Sequence, residues 1–215
     1  MAITVLKDLR QTFGPARDQG SRPTCISFAI SDAHAVARGK YVPLSVEHLY
    51  FHAVNRTPGG DPHSGVTLTA TLEGLRHDGQ CSEVGWPYMD ALPGNLKLWT
   101  PPATATPVFR RGTTPIGRAI DELIATVDAG KPVVVALLLG ARFYRPLSGI
   151  VEPGPGDTDT DYHAVLAVGH GRDGTRRYIL VRNSWGSGWG MAGHAWIAVK
   201  YLEPRLYQVA LMGSI

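Results

Sequence analysis

Apolar positions recur at helical spacing early in the chain and fall into short continuous runs only after Lys131. Cys25, Phe28, Ala29, Ala33, Val36 and Ala37 keep a helical spacing, with Thr24 placed to cap the start and Gly39 to stop it. Ser45 is placed to cap a second helix over Val46 to Asn55, closed by Arg56-Thr57-Pro58-Gly59-Gly60. A third is predicted over Thr67 to His77 and a fourth over Ile116 to Asp128, each followed by a glycine within two residues. Leu6 to Ser21 looks extended, and the Pro- and Thr-rich stretch Trp86 to Thr114 shows no period and is taken as a long loop. Strands are predicted at Val133 to Leu139, His163 to Val168, Tyr178 to Arg182 and Ala195 to Val199, all β-branched or apolar and bounded by turn residues. Helices first and strands later imply an α+β chain with two segregated lobes.

Composition narrows the function. The 215 residues suffice for one large domain, and 44% hydrophobic with 18% charged residues is ordinary for a soluble globular protein. A net charge of +3, with no basic stripe, gives nucleic-acid binding little support. The N-terminal stretch lacks the basic-then-apolar pattern of a signal peptide, and Val133 to Leu139 is too short to span a bilayer, so no membrane partner and a cytoplasmic location are expected. Two cysteines, Cys25 and Cys81, are too few for a disulfide scaffold. Asp157 to Val168 begins like a calcium loop but carries Tyr162 where glycine is needed and Val168 where glutamate is needed. His48 and His52 lack the glutamate of a zinc-protease motif. No metal or cofactor is expected.

The chemistry-bearing residues are far apart in sequence. Gln19 precedes Cys25 by six residues in Asp18-Gln19-Gly20-Ser21-Arg22-Pro23-Thr24-Cys25. Tyr162-His163-Ala164 and Arg182-Asn183-Ser184-Trp185-Gly186 follow much later. A thiol becomes a nucleophile as thiolate, favoured by a helix N-terminus and by a nearby imidazolium. Cys25 sits at such a terminus, although a buried core cysteine would fit the same position. His163 is placed to take and return a proton, Asn183 to orient its ring, Trp185 to cover that bond, and Gln19 to donate to an oxyanion.

This set resembles the papain-like (C1-type) cysteine peptidases over nearly the full chain. The resemblance rests on Asp18-Gln19-Gly20-Ser21, on Trp86-Pro87-Tyr88, and most strongly on Tyr178 to Gly186 continuing to Gly188-Trp189-Gly190. Cys25 and His163 are 138 residues apart, within the ~130–150 of that family. It implies a two-lobe fold, a helical lobe over about 22–110 and an antiparallel β-barrel-like lobe over about 111–215 with residues 1–21 crossing to it, and an active site in the cleft. It implies Cys25, His163, Asn183 and Gln19 as catalytic residues, and peptide-bond cleavage through a thioester, as an endopeptidase with restricted substrates. An amidase or transpeptidase, or an inactive peptide-binding module, are the other readings of the same scaffold. Peptide or protein is the implied substrate, bound along Gly65, in a pocket of Val66, Thr67, Ala136, Asp161 and Ala164, and against Trp185. Asp161 is expected either to admit a basic side chain there or to be a solvated loop charge.

Departures from the family pattern bear on regulation. Arg22 replaces its structural cysteine before the nucleophile, and Ile26 replaces the tryptophan after it. No inhibitory pro-segment precedes the domain in this sequence, so control is expected to rest on the removal of such a segment, on a narrow substrate range, or on an activating or inhibiting protein partner. The C-terminal strand region after Tyr201 is expected to be abbreviated.

Overall fold

In the computed structural model, which describes residues 2–213, hydroxyl side chains set two helix starts. Ser45 Oγ accepts from the His48 amide at 3.0 Å and opens α2, Val46–Arg56; Thr67 Oγ1 accepts from the Ala70 amide at 3.1 Å and opens α3, Leu68–His77. Each bond satisfies one of the amides that a first helical turn leaves without a partner. These helices and α1, Cys25–Ala37, belong to a compact unit running from Gln19 to Thr114. That unit ends in a two-residue strand, β2, Thr113–Thr114.

Helix α1 is buried on most of its surface, including Ile26 through Ala35 without a break. Ser31 and His34 are bonded inside, whereas Ser27 Oγ is buried without a partner. Gln80 Nε2 donates to Ser31 Oγ and to the Ser45 carbonyl, both at 3.0 Å, which leaves Gln80 Oε1 to accept from His34 Nδ1 at 2.9 Å. Through Ser31 and His34 on one side and the Ser45 carbonyl on the other, Gln80 ties α1 to the start of α2, while His34 Nε2 stays buried without a partner. Thr24 does not cap α1 as expected: its hydroxyl pairs with the Tyr88 hydroxyl at 2.9 Å. A second core gathers Tyr50, Val54, Cys81, Trp86, Trp99 and Ala105.

The other unit comprises the residues up to Asp18 and Pro115–Leu211. It holds β1, Thr4–Asp8; α4, Ile120–Asp128; β3, Val133–Gly140; α5, Ala141–Tyr144; β4, Ile150–Val151; β5, Asp159–Asp173; β6, Arg176–Arg182; β7, His194–Ala198; α6, Val199–Leu202; and β8, Leu206–Met212. The sheet order is β8-β3-β5-β6-β7-β4, with β1 on β5. The first half of the long β5 pairs with β3, Ala136 opposite Ala164, and its second half with β6 and β1. Gly169 lies where β1 and β6 close on β5; a Cβ there would stand 2.5 Å from the Lys7 carbonyl oxygen. Only glycine permits that approach.

The sheet and one helix differ from expectation. The sheet is mixed, because β4 and β7 run parallel. Residues Leu206–Met212 form β8, a seven-residue strand paired with β3. Helix α4 begins at Ile120 rather than Ile116. No helix among the described residues is long and apolar enough to cross a membrane.

Candidate active site

The loop before α1 is tied from several sides. Gln19 Nε2 donates to the Arg22 carbonyl at 2.8 Å, and the Thr24 amide donates to the same oxygen at 2.9 Å. Tyr88 donates its hydroxyl to the Gln19 carbonyl at 2.8 Å and receives Thr24 Oγ1. Cys25 follows as the first residue of a thirteen-residue helix, half-buried, and neither it nor Cys81 is in a disulfide. At that place the helix dipole favours a thiolate. Cys81 is fully buried and its thiol is pushed up by desolvation, so it is chemically quiet.

His163 sits in the interior of β5, opposite Leu137. Its Nε2 lies 2.7 Å from Asn183 Oδ1. That oxygen also accepts from the Ser184 amide at 2.8 Å, so a backbone donor fixes which end of the Asn183 amide faces the ring. Nε2 therefore carries the hydrogen, and the neutral ring presents Nδ1 as its acceptor. Burial lowers the His163 pKa to about 4, with the Asn183 bond acting weakly in the other direction.

An aromatic cluster encloses this pair. Trp185 lies 4.6 Å from the His163 ring, and Tyr144 stacks on Trp185 at 5.4 Å with planes 12° apart. Phe143 packs edge-on against both His163 and Trp185, and Trp189 donates its indole N–H to the Phe143 carbonyl at 3.1 Å. The loop carrying Asn183 and Trp185 is anchored where Trp185 bridges to Asp18 and the Gly186 amide donates to the Arg17 carbonyl at 3.1 Å. Such rings keep water from the imidazole–amide bond.

The sequence and the fold have counterparts among known proteins. The model of the papain family cysteine proteases matches residues 6–209. The chain belongs to this family. Procathepsin L of Felis catus is 31% identical over 193 residues, covering 84% of this chain and 55% of that protein. The chain thus spans about half the length of such relatives. Xylellain, a cysteine protease from Xylella fastidiosa, superposes with a TM-score of 0.80 at 21% identity, covering 100% of this chain and 87% of that one. A Carica candamarcensis cysteine protease, solved in complex with E-64, gives a TM-score of 0.72 at 24% identity over 97% of this chain and 98% of that one. The two structures establish the papain-like α+β fold.

Within the sheet, the expected pocket residues fall on two faces. Ala136 opposes Ala164 and Leu138 opposes Tyr162, so these four share one face of the sheet. Asp161 opposes Leu139 on the other face, the face of His163. Its carboxylate accepts the Tyr144 hydroxyl at 2.6 Å. Asp161 thus lies on the opposite face of the sheet from Ala136 and Ala164, and Tyr162 lies on their face. Exposed Tyr162 packs on exposed Tyr207 of β8 at 5.3 Å. In the helical unit, Gly65 has φ +81° and borders Pro23, while Val66 is half-buried against the Tyr50 core cluster.

Sequence reasoning missed Glu47, Tyr88, Phe143 and Tyr144. Glu47 and Tyr144 belong to no motif, whereas Tyr88 stands in the Trp86-Pro87-Tyr88 segment and could have been found there. No group of three His, Cys, Asp or Glu side chains arranged to hold a metal ion occurs among the described residues.

Proposed function

We propose that this chain cleaves peptide bonds by thiol chemistry, with Cys25 as nucleophile, His163 as general acid and base, Asn183 as the group that orients His163, and Gln19 as an oxyanion donor. The observation that carries this reading is the His163–Asn183 bond under Trp185, which leaves Nδ1 as the ring's acceptor. The Cys25 proton passes to Nδ1, and the thiolate forms a bond to the substrate carbonyl carbon. Negative charge moves to the carbonyl oxygen, where the Cys25 amide and the Gln19 side-chain amide donate. The C–N bond then breaks as Nδ1–H protonates the leaving amine. Water, deprotonated by Nδ1, releases the acyl group from the thioester and the thiol is restored.

The preferred substrates on this reading are a limited set of peptides or proteins cut internally. The test is intact-mass labelling with an epoxide inhibitor across pH, on wild type, Cys25→Ala and His163→Ala. Rapid single labelling that disappears in Cys25→Ala, and loses its acid-side reactivity in His163→Ala, is expected. Slow labelling with the pH dependence of an ordinary thiol refutes the reading and favours a peptide-binding module.

A further inference from the structure

A buried ion pair stands behind the nucleophile loop. Arg22 and Glu47 are 6% and 0% exposed and meet in a two-pronged contact, Nη1 to Oε2 at 2.6 Å and Nη2 to Oε1 at 2.9 Å. Glu47 also accepts the Trp99 indole N–H at 2.6 Å and the Met89 amide at 3.1 Å. Arg22 Nη1 donates in addition to the Met89 carbonyl at 2.6 Å, and the guanidinium lies over Tyr88 and Tyr50, 5.0 and 5.5 Å from their ring centres.

Stability alone does not account for such a pair, because well-packed apolar residues usually serve a buried site as well or better. Its position offers another reason. The Arg22 carbonyl receives both the Gln19 side-chain amide and the Thr24 amide, and Cys25 is the next residue. Tyr88, packed on the guanidinium, holds the same loop at Gln19 and at Thr24. No disulfide holds it, since Cys25 and Cys81 are both thiols. A displacement of Arg22 moves the oxyanion donor and the helix start together.

We propose that Glu47, acting through Arg22, is a positioning residue that holds Gln19 and Cys25 in their reactive geometry. The inference rests on the peptidase reading above. A misplacement on the order of 1 Å at a reacting group costs roughly a hundredfold in rate, so the pair matters to kcat far more than to binding.

The test uses the full chain with two variants. Arg22→Met combined with Glu47→Leu removes both charges and leaves no lone buried ion; Glu47→Gln keeps the shape and removes one charge. Unfolding midpoint, kcat and KM on a fluorogenic peptide, and the pH profile of Cys25 alkylation by iodoacetamide are measured. The double variant is expected to stay folded with KM within about threefold, kcat lower by roughly ten- to hundredfold, and the alkylation profile shifted toward that of an ordinary thiol. Glu47→Gln is expected to move the same quantities less. A folded double variant with wild-type kcat and alkylation profile overturns the proposal. Should it not fold, an unchanged kcat and profile in Glu47→Gln overturns it instead. A wild-type Cys25 that alkylates like an ordinary thiol defeats the peptidase reading itself, whereas equal, fast reactivity in wild type and variants defeats only the positioning role.

Discussion

Replacing Asn183 by alanine removes the acceptor that decides which nitrogen of His163 carries the hydrogen. The His163 ring is buried, and its Nε2–H has Asn183 Oδ1 at 2.7 Å. Losing a hydrogen bond to a buried group costs about 1–3 kcal/mol. Without that bond the tautomer protonated at Nδ1 gains by the same amount, and it has no lone pair on Nδ1 with which to accept the thiol proton. At 1.4 kcal/mol per factor of ten, kcat is expected to fall roughly five- to hundredfold. Asn183→Asp separates the roles, because its oxygen still accepts from both His163 and the Ser184 amide. Its negative charge favours the imidazolium, so the alkaline limb of the epoxide-inactivation profile moves to higher pH. The assay is kcat on a fluorogenic peptide together with that profile, from acid to alkaline pH. An Asn183→Ala chain with kcat within twofold of wild type, or an Asn183→Asp chain with an unmoved alkaline limb, would falsify the orienting role.

Gln19→Ala removes one oxyanion donor and should lower kcat by about 10²–10³ with little change in KM; equal changes in both constants would point to binding instead. Trp185→Ala opens the His163–Asn183 bond to water and strips the Tyr144 stack; a loss of about tenfold in kcat is expected, read beside His163→Ala. In a positional peptide library, Asp161→Asn should leave the preference for the second residue upstream of the cut unchanged, while Tyr162→Ala broadens it. A loss of basic-residue preference in Asp161→Asn would contradict the strand parity described above. Buried His34, His48 and His194 are each lowered to about 4 by desolvation, so the folded chain binds fewer protons than the unfolded chain between about pH 6.5 and pH 4. Stability therefore falls as pH drops through that window. Glutamine at fully buried His34 should shrink the difference in unfolding free energy between pH 7 and pH 5 by about 2 kcal/mol, measured by urea titration; an unaltered difference would show that His34 titrates normally.

Local chemistry made much of this legible in the chain. Ser45 marked its helix because a hydroxyl before an apolar helical period has a defined task, and the strands at Val133 and Tyr178 were continuous apolar runs. Thr24 misled for the same reason: its hydroxyl serves Tyr88, 64 residues away, and a long-range partner leaves no local pattern. The short β4 and the exposed β1 were invisible because pairing, not composition, makes them strands. The face that Asp161 takes was not legible either, since a single residue of register decides which face of a strand a side chain takes. Nothing local singles out Glu47 in the first turn of α2; only the fold brings Arg22, Trp99 and Met89 to it.

The depressed pKa of His163 bears directly on the proposed chemistry. Enclosed by Phe143, Trp185 and Asn183, the ring by itself is a neutral base at every ordinary pH, because burial opposes the imidazolium and the neutral amide of Asn183 offsets little of that cost. An imidazolium in such surroundings requires an anion beside it, and on the peptidase reading the anion is the Cys25 thiolate. The two protons then titrate as a pair, so neither residue has an acidity of its own. Removing either partner must change the other: His163→Ala should make Cys25 an ordinary thiol, and Cys25→Ala should leave His163 neutral down to about pH 4. The aromatic enclosure that would disarm an isolated His163 thus ties its charged state to the presence of the nucleophile.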